Sequence, residues 1–440
     1  MKKLLLFIGI LNITACNNVD PDWAEKGNDA EYLHRSMKQL TDVIVYDIFS
    51  PPVASRNYAY PSIAAYEVLI QLDSSYHSME GQLSQLEEIP QPGVDQEYNF
   101  PLASITAFLR VSKALIFSEE KIDVFYQELL NEYQQHNMPR EVFNASIQYG
   151  EQVAQYILAW ADKDNYKQTR TFPKYSVTDD PSMWKPTPPG YFDGIEPAWR
   201  EIRPFVIDSA QQFRPPFPTP FDMENDSEFR KEVMEVYEVV NNADDEEREI
   251  ASFWDCNPFV MNVTGHIMHA TKKITPGGHW IGITSIACRK ENSSMLESAA
   301  AYMMTSLALA DGFISCWDEK YRSNLTRPET VINENIDEEW LPILQTPPFP
   351  EYTSGHSVIS GASAVVLTSL FGNNFAFEDD SEVEYGLPVR KFNSFFHASD
   401  EAAISRLYGG IHYRPAIDNG IVQGKNLGRF IVDNIVLKEK

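Results

Sequence analysis

The chain has 440 residues, with 36 Lys and Arg against 63 Asp and Glu, a formal charge of −27 at pH 7 and 43% hydrophobic residues. That length and apolar content are enough to bury a large core, which excludes disorder as the overall state and leaves room for one large domain or two of medium size. So acidic a surface excludes nucleic acid as a partner and charge-driven docking on anionic headgroups, and any anionic substrate must be held by a local cationic pocket.

In chain order, residues 1–16 stand apart. Lys2 and Lys3 precede an apolar run from Leu4 to Ile13, too short to span a bilayer but suited to a signal peptide. It ends in Ile13-Thr14-Ala15-Cys16, which resembles a bacterial lipoprotein cleavage box. That resemblance implies lipidation at Cys16, a body tethered to membrane and, because Asn17 follows, an envelope location at the outer membrane. No later apolar run reads as a membrane span. Cys256, Cys288 and Cys316 are odd in number and lack metal-site spacing, so they read as buried thiols.

Residues 17–164 read as a helical region. Apolar residues recur at helical spacing from Ala30 to Gln71, with a turn at Ser50-Pro51-Pro52, and again from Phe100 to Asp164. Residues 165–221 carry prolines interleaved with Trp184, Tyr191, Trp199 and Phe205, too many for a regular helix or central strand. They are expected to form a long ordered loop that walls a site and lends it Lys185, Arg200, Arg203 and Arg214. Residues 222–440 return to helical periodicity. The clearest helix runs from Met295 to Glu319 behind the caps Asn292, Ser293 and Ser294, with others after Ser354-Gly355, from Asp400 to Tyr408 and from Ala416 to Leu437. With no alternating strands, the fold class is all-α, a helical bundle.

Three blocks in this last region carry chemistry: Lys320-Tyr-Arg-Ser-Asn-Leu-Thr-Arg327-Pro328, Thr353-Ser354-Gly355-His356, and Ser405-Arg406-Leu-Tyr-Gly-Gly-Ile-His412. Pro328 disfavours a helical Arg327, so Lys320 falls near the end of the long helix and Arg327 on the outgoing loop. Ser354 caps the next helix, and the amides of its first turn, at Gly355 and His356, point toward an anion. Gly409 and Gly410 stop a helix between Arg406 and His412. Three fixed cations with backbone donors match the equatorial oxygens of a phosphate in transfer, and two histidines supply acid-base and in-line nucleophilic groups. The same cage suits vanadate, with His412 as an axial ligand to vanadium. A rival zinc site is offered by His266 and His269, three apart on an expected helix with His279 nearby, but the acid of a metalloprotease helix is missing between them.

The three blocks resemble the superfamily that joins vanadium-dependent haloperoxidases with type 2 phosphatidic acid phosphatases and bacterial acid phosphatases, whose pattern is Lys-x6-Arg-Pro, Pro-Ser-Gly-His and Ser-Arg-x5-His. Only Thr353, in place of the proline, departs from it. The resemblance implies that Lys320, Arg327, Ser354, Gly355 and Arg406 bind vanadate or phosphate, that His356 is the acid-base group, and that His412 is the nucleophile or vanadium ligand. Trp317 before the lysine and the approach Pro348-Phe349-Pro350 look like the haloperoxidase branch, the fungal chloroperoxidase type in particular, and imply that Trp317 and Phe349 wall the pocket. The family's aspartate four residues after the last histidine is Ala416 here, which leaves Asp418 as the nearest acid to orient His412. A haloperoxidase that uses vanadate, peroxide and halide is the expectation. A phosphoester phosphatase working through a phosphohistidine without a cofactor, and a non-catalytic phosphate-binding surface lipoprotein, are the alternatives.

Overall fold

The computed structural model describes residues 19–264, 267–270 and 272–438. Cys16, with the signal segment 1–16, and His266 lie outside these residues. The first half holds α1 (Trp23–Lys26), α2 (Glu31–Tyr46), α3 (Pro51–Leu69), α4 (Phe100–Leu115), α5 (Glu119–Gln135), α6 (Arg140–Ala161) and α7 (Tyr166–Thr169). Pro51 and Pro52 open α3, where the first turn has no hydrogen bond for proline to break. The second half holds α8 (Glu228–Asn242), α9 (Asp245–Phe253), β1 (Met261–Thr264), β2 (Ile267–Ala270), α10 (Pro276–Lys290), α11 (Met295–Ser323) and α12 (Pro328–Asn335). It closes with α13 (Gly355–Phe371), β3 (Phe377–Asp379), β4 (Arg390–Phe392), α14 (Phe395–Tyr408) and α15 (Arg414–Asn434). The described residues are all-α apart from two short antiparallel hairpins, β1–β2 and β3–β4, which the expectation of no strands omitted.

The first hairpin places His269 of the rival zinc pair in a strand and not in the expected helix. Met261–Thr264 and Ile267–Ala270 pair antiparallel, and β-branched Val263, Thr264 and Ile267 favour an extended chain there.

Helix α11 is the axis of the core. Ser294 and Glu297 form a capping box at its start, and it runs past the expected Glu319 to Ser323, ending where Asn324 turns left-handed at φ 51°. Among the described residues it is the one helix long and apolar enough to cross a membrane, but its apolar window is wholly buried in protein. Small residues on its surface let neighbours from both halves close in, and one hydrophobic cluster spans α2–α6, α10, α11 and α13. Helices α13 and α15 pack backbone to backbone. A Cβ on Gly424 would lie 2.0 Å from the Val358 carbonyl oxygen, so only glycine fits there. The Ser354 amide donates to the Ala416 carbonyl at 3.0 Å, which fixes the start of α13 against the start of α15.

The proline-rich stretch 165–221 is ordered by contacts to α11. Asp311, buried within that helix, accepts from the amides of Phe205, Val206 and Ile207 at 2.7, 2.7 and 3.0 Å. The Ile195 carbonyl accepts from Trp317 Nε1 at 3.1 Å and from the Tyr321 hydroxyl at 2.6 Å. The stretch therefore braces the helix that carries Lys320. Its cations do not serve the site: Lys185 pairs with Glu334, Arg200 with Glu201 and Arg214 with Asp318, while Arg203 donates to Tyr60 and to the Trp160 carbonyl.

Candidate active site

Lys320 leaves the last turns of α11 fully buried, and its ammonium donates to the carbonyls of Pro350 and Glu351 at 2.9 and 3.0 Å. Arg327 is the N-cap residue of α12, held extended as the following proline requires (φ −82°, ψ 152°). Its Nε donates to the Phe349 carbonyl at 2.9 Å, and Nη1 donates to the Ile411 carbonyl at 2.7 Å and lies 3.2 Å from His412 Nε2. Arg406 comes from the last turn of α14 and donates through Nη1 to the Trp254 carbonyl at 2.5 Å. Gly410 then turns left-handed (φ 77°), where a Cβ would press on Val240 at 2.8 Å, and the chain doubles back to deliver His412.

Ser354 caps α13, its Oγ accepting from the Ser357 amide at 3.3 Å, so Gly355 and His356 occupy the first turn with the positive end of the helix dipole. The three blocks, far apart in sequence, thus converge. Trp317 and Phe349 pack at 4.9 Å between ring centres and line, with His356, Arg406 and His412, a narrow cavity of about 30 Å³. Phe349 also lies 5.0 Å from the Lys320 ammonium and 5.1 Å from the Arg327 guanidinium, within cation–π range of both. Pro51 and Phe259 complete part of the same wall, so α3 of the first half reaches the site.

Asp418 does not orient His412. It sits exposed at the start of α15, its nearest cation being Arg414, and the carboxylate beside His412 is Glu351. Glu351 Oε1 lies 2.8 Å from His412 Nδ1 and accepts from the Tyr413 amide at 2.9 Å. An oxygen already accepting from an amide accepts from Nδ1–H as well, which leaves the lone pair of Nε2 facing the cations. Glu351 lies immediately after Pro348-Phe349-Pro350. Its visible signal was an acid within the segment leading to Ser354-Gly355-His356, but only the folded chain brings it to a residue 61 positions later.

Burial dominates the electrostatics. It lowers Lys320 to about 7, with Arg327 adding repulsion, and raises Glu351 to about 8 against the pull of Arg327 and Lys320. It also holds His356 and His412 well below the usual imidazole range, helped by Arg406 for the first and by Arg327 and Lys320 for the second. Both imidazoles are therefore neutral at neutral pH.

Arg327 Nη2, Arg406 Nε and His356 Nε2 are buried without a hydrogen-bond partner. Unpartnered nitrogens on buried guanidiniums are costly unless a bound group meets them. A vanadate oxyanion meets them with acceptor oxygens and negative charge, while the nearby carboxylates are engaged elsewhere, Glu351 with His412 and Asp255 with Lys273. The residues fit that group.

The fold and the cage define an anion-dependent helical-bundle enzyme. A family model for the second helical-bundle domain of vanadium chloroperoxidase matches residues 300–436. A crystal structure described as the first bacterial vanadium-dependent iodoperoxidase is 53% identical, with a TM-score of 0.89 over 93% of this chain and 98% of that one. The holo and apo forms of a bacterial vanadium-dependent chloroperoxidase share the fold at 17% and 16% identity, with TM-scores of 0.67 and 0.66, covering 88% of this chain in each case and 93% and 94% of theirs. No curated protein matches. The chain belongs to the vanadium-dependent haloperoxidases, and it is an enzyme that binds vanadate and uses peroxide to oxidise halide. The lipid anchor and outer-membrane location expected from Cys16 are corrected by the same comparisons, since relatives matched over nearly their whole length are crystallised peroxidases and lipid anchoring conflicts with them.

Proposed function

We propose that the enzyme is an iodide-oxidising haloperoxidase whose vanadate is held by Lys320, Arg327, Arg406, Ser354 and the Gly355 amide, with His412 Nε2 as the ligand to vanadium. The 53% identity to an iodoperoxidase over nearly the whole chain carries the choice of halide. The unpartnered buried nitrogens of Arg406 and His356 belong to residues lining one cavity with His412, and Arg327, with a third such nitrogen, lies 3.2 Å from His412 Nε2; this supports the residue roles. Bound vanadate supplies a Lewis-acidic centre that activates peroxide toward a halide. Around it, Glu351 keeps His412 in the tautomer that offers Nε2, and the cations hold negative charge where water is excluded. His356, neutral and with Nε2 free, takes a proton from incoming peroxide. Trp317 and Phe349 form an apolar, polarisable wall against which a large, weakly hydrated anion rests. Residues 222–440 carry the chemistry in this reading, residues 165–221 brace α11, and residues 17–164 buttress the core and reach the site wall through Pro51.

The test is steady-state oxidation of iodide, bromide and chloride by purified protein with vanadate and hydrogen peroxide, beside phosphomonoester hydrolysis without vanadate. Iodide is expected to turn over fastest. Faster bromide or chloride turnover at equal concentration overturns the halide assignment, and vanadate affinity unchanged in Arg406→Ala overturns the cage.

A further inference from the structure

Beside the cage, with Cys256 on the wall of the same cavity, lies a second group of chemistry-bearing side chains to which the proposed halide reaction gives no role. Cys256 follows α9, His279 stands in the first turn of α10, and Glu382 lies in the turn between β3 and β4; all three are buried. Cys256 Sγ lies 3.5 Å from His279 Nδ1 and 3.8 Å from Glu382 Oε1, and Nδ1 lies 3.3 Å from Oε1. With zinc bonds of about 2.3 Å to sulfur, 2.0–2.1 Å to nitrogen and 2.0–2.2 Å to oxygen, a tetrahedron has edges of roughly 3.5 Å for each sulfur pair and roughly 3.3 Å for the nitrogen–oxygen pair. The three donor atoms therefore already stand near the corners of one face of a zinc tetrahedron. We propose that Cys256, His279 and Glu382 bind one zinc ion.

The surroundings support that reading. His279 Nε2 lies 2.8 Å from Asp379 Oδ2, and Asp379 accepts on its other oxygen from the Ser381 amide at 3.0 Å. A carboxylate on the far nitrogen is the arrangement that fixes a ligating histidine and raises its basicity. The Trp254 ring stacks on His279 with centres 4.5 Å apart and planes at 21°, closing the site to bulk solvent on that side. Binding takes the thiol proton from Cys256, so that a thiolate, a carboxylate and a neutral imidazole meet the dication. The ion ties the loop after α9 to α10 and to the β3–β4 turn. The Trp254 carbonyl on that loop holds Arg406, so the zinc site stiffens one support of the anion cage.

The competing occupancy of the same geometry is an imidazolium clamped between Asp379 and Glu382, with no metal. Full-length protein produced with zinc in the medium and passed over chelating resin separates the two by elemental analysis. About one zinc per chain is expected in the wild type, and less than about a tenth of that in Cys256→Ser and Glu382→Gln. A folded wild type that retains less than about a tenth of an equivalent after exposure to zinc alone overturns the proposal, as does undiminished zinc in a folded Cys256→Ser. If the variants do not fold, cobalt(II) loaded into the wild type decides. A thiolate-to-cobalt charge-transfer band supports the site, and bound cobalt without that band overturns it.

Discussion

Two clusters of buried charge show how differently one chain treats cations. In the first half, Arg56 donates to Asp164 at 2.6 Å, the Tyr60 hydroxyl donates to the same carboxylate at 2.8 Å, and Arg203 donates to the Tyr60 hydroxyl at 3.0 Å. That cluster contains its own anion. In the second half, Lys320, Arg327 and Arg406 are buried as deeply but donate to backbone carbonyls, and two of their nitrogens meet nothing. The first arrangement holds a carboxylate of its own and leaves one guanidinium nitrogen, Arg203 Nε, without a partner, whereas the second has no carboxylate hydrogen-bonded to its cations among the described residues and leaves two nitrogens open.

The largest effect that can break this contrast is loss of His412. His412→Ala is expected to lower vanadate-dependent iodide turnover by more than about 100-fold, above the 10–100-fold typical of outer supporting residues, measured in initial rates at saturating vanadate. Next, the two arginine clusters should respond to different degrees. Arg56→Ala strands a buried carboxylate and should cost about 3–5 kcal/mol in denaturant unfolding. Arg327→Met removes a buried cation that lacks an ion-pair partner but also the hydrogen bonds to the Phe349 and Ile411 carbonyls, so it should cost the apo-protein less than Arg56→Ala does while weakening vanadate by about 2–5 kcal/mol in equilibrium binding. Equal loss of apo stability in both would erase the distinction.

Glu351→Gln keeps the shape but weakens the support of His412, and a rise of roughly 10–100-fold in the vanadate Kd is expected by titration. A smaller effect comes from pH. Lys320 sits at about 7 when folded, below its ordinary 10.5, so between those values the unfolded chain carries a proton that the folded one lacks. This group therefore makes the apo-protein more stable as pH rises from 7 to 10.5. An oxyanion requires the charged form, so above pH 7 binding takes up a proton and vanadate affinity falls, by up to roughly tenfold per pH unit. Kd against pH for wild type and Lys320→Met measures it; the same slope in both removes Lys320 from the cage. Last, Asp418→Asn should change stability by less than about 0.5 kcal/mol and leave the rate unaltered, because the side chain is exposed and faces Arg414.

The helices and the placing of the three blocks at their ends were legible because each has a local cause. Apolar spacing and the Ser294 cap announce α11, Pro328 forces Arg327 out of the helix, and Ser354-Gly355 opens α13. What sequence reasoning missed depends on contacts between distant segments. Glu351 replaces the acid absent at Ala416 from the opposite side of the imidazole's chain, and no spacing rule connects positions 351 and 412. The hairpins are three or four residues per strand, too short for a period of two to stand out. Segment 165–221 was expected to lend cations to the pocket, but its arginines and lysine are engaged elsewhere and its backbone braces α11 instead.

Phe349, Pro350 and Glu351 together serve nearly every buried cation of the site: their carbonyls receive Arg327 and Lys320, and the Glu351 carboxylate receives His412. Three consecutive residues thus act as a jig whose register, more than its composition, sets the site. A single-residue insertion or deletion between Pro348 and Tyr352 would shift all these anchors at once. The stretch should therefore tolerate some point changes yet admit no change of length, and it marks where recombination between relatives should not cut.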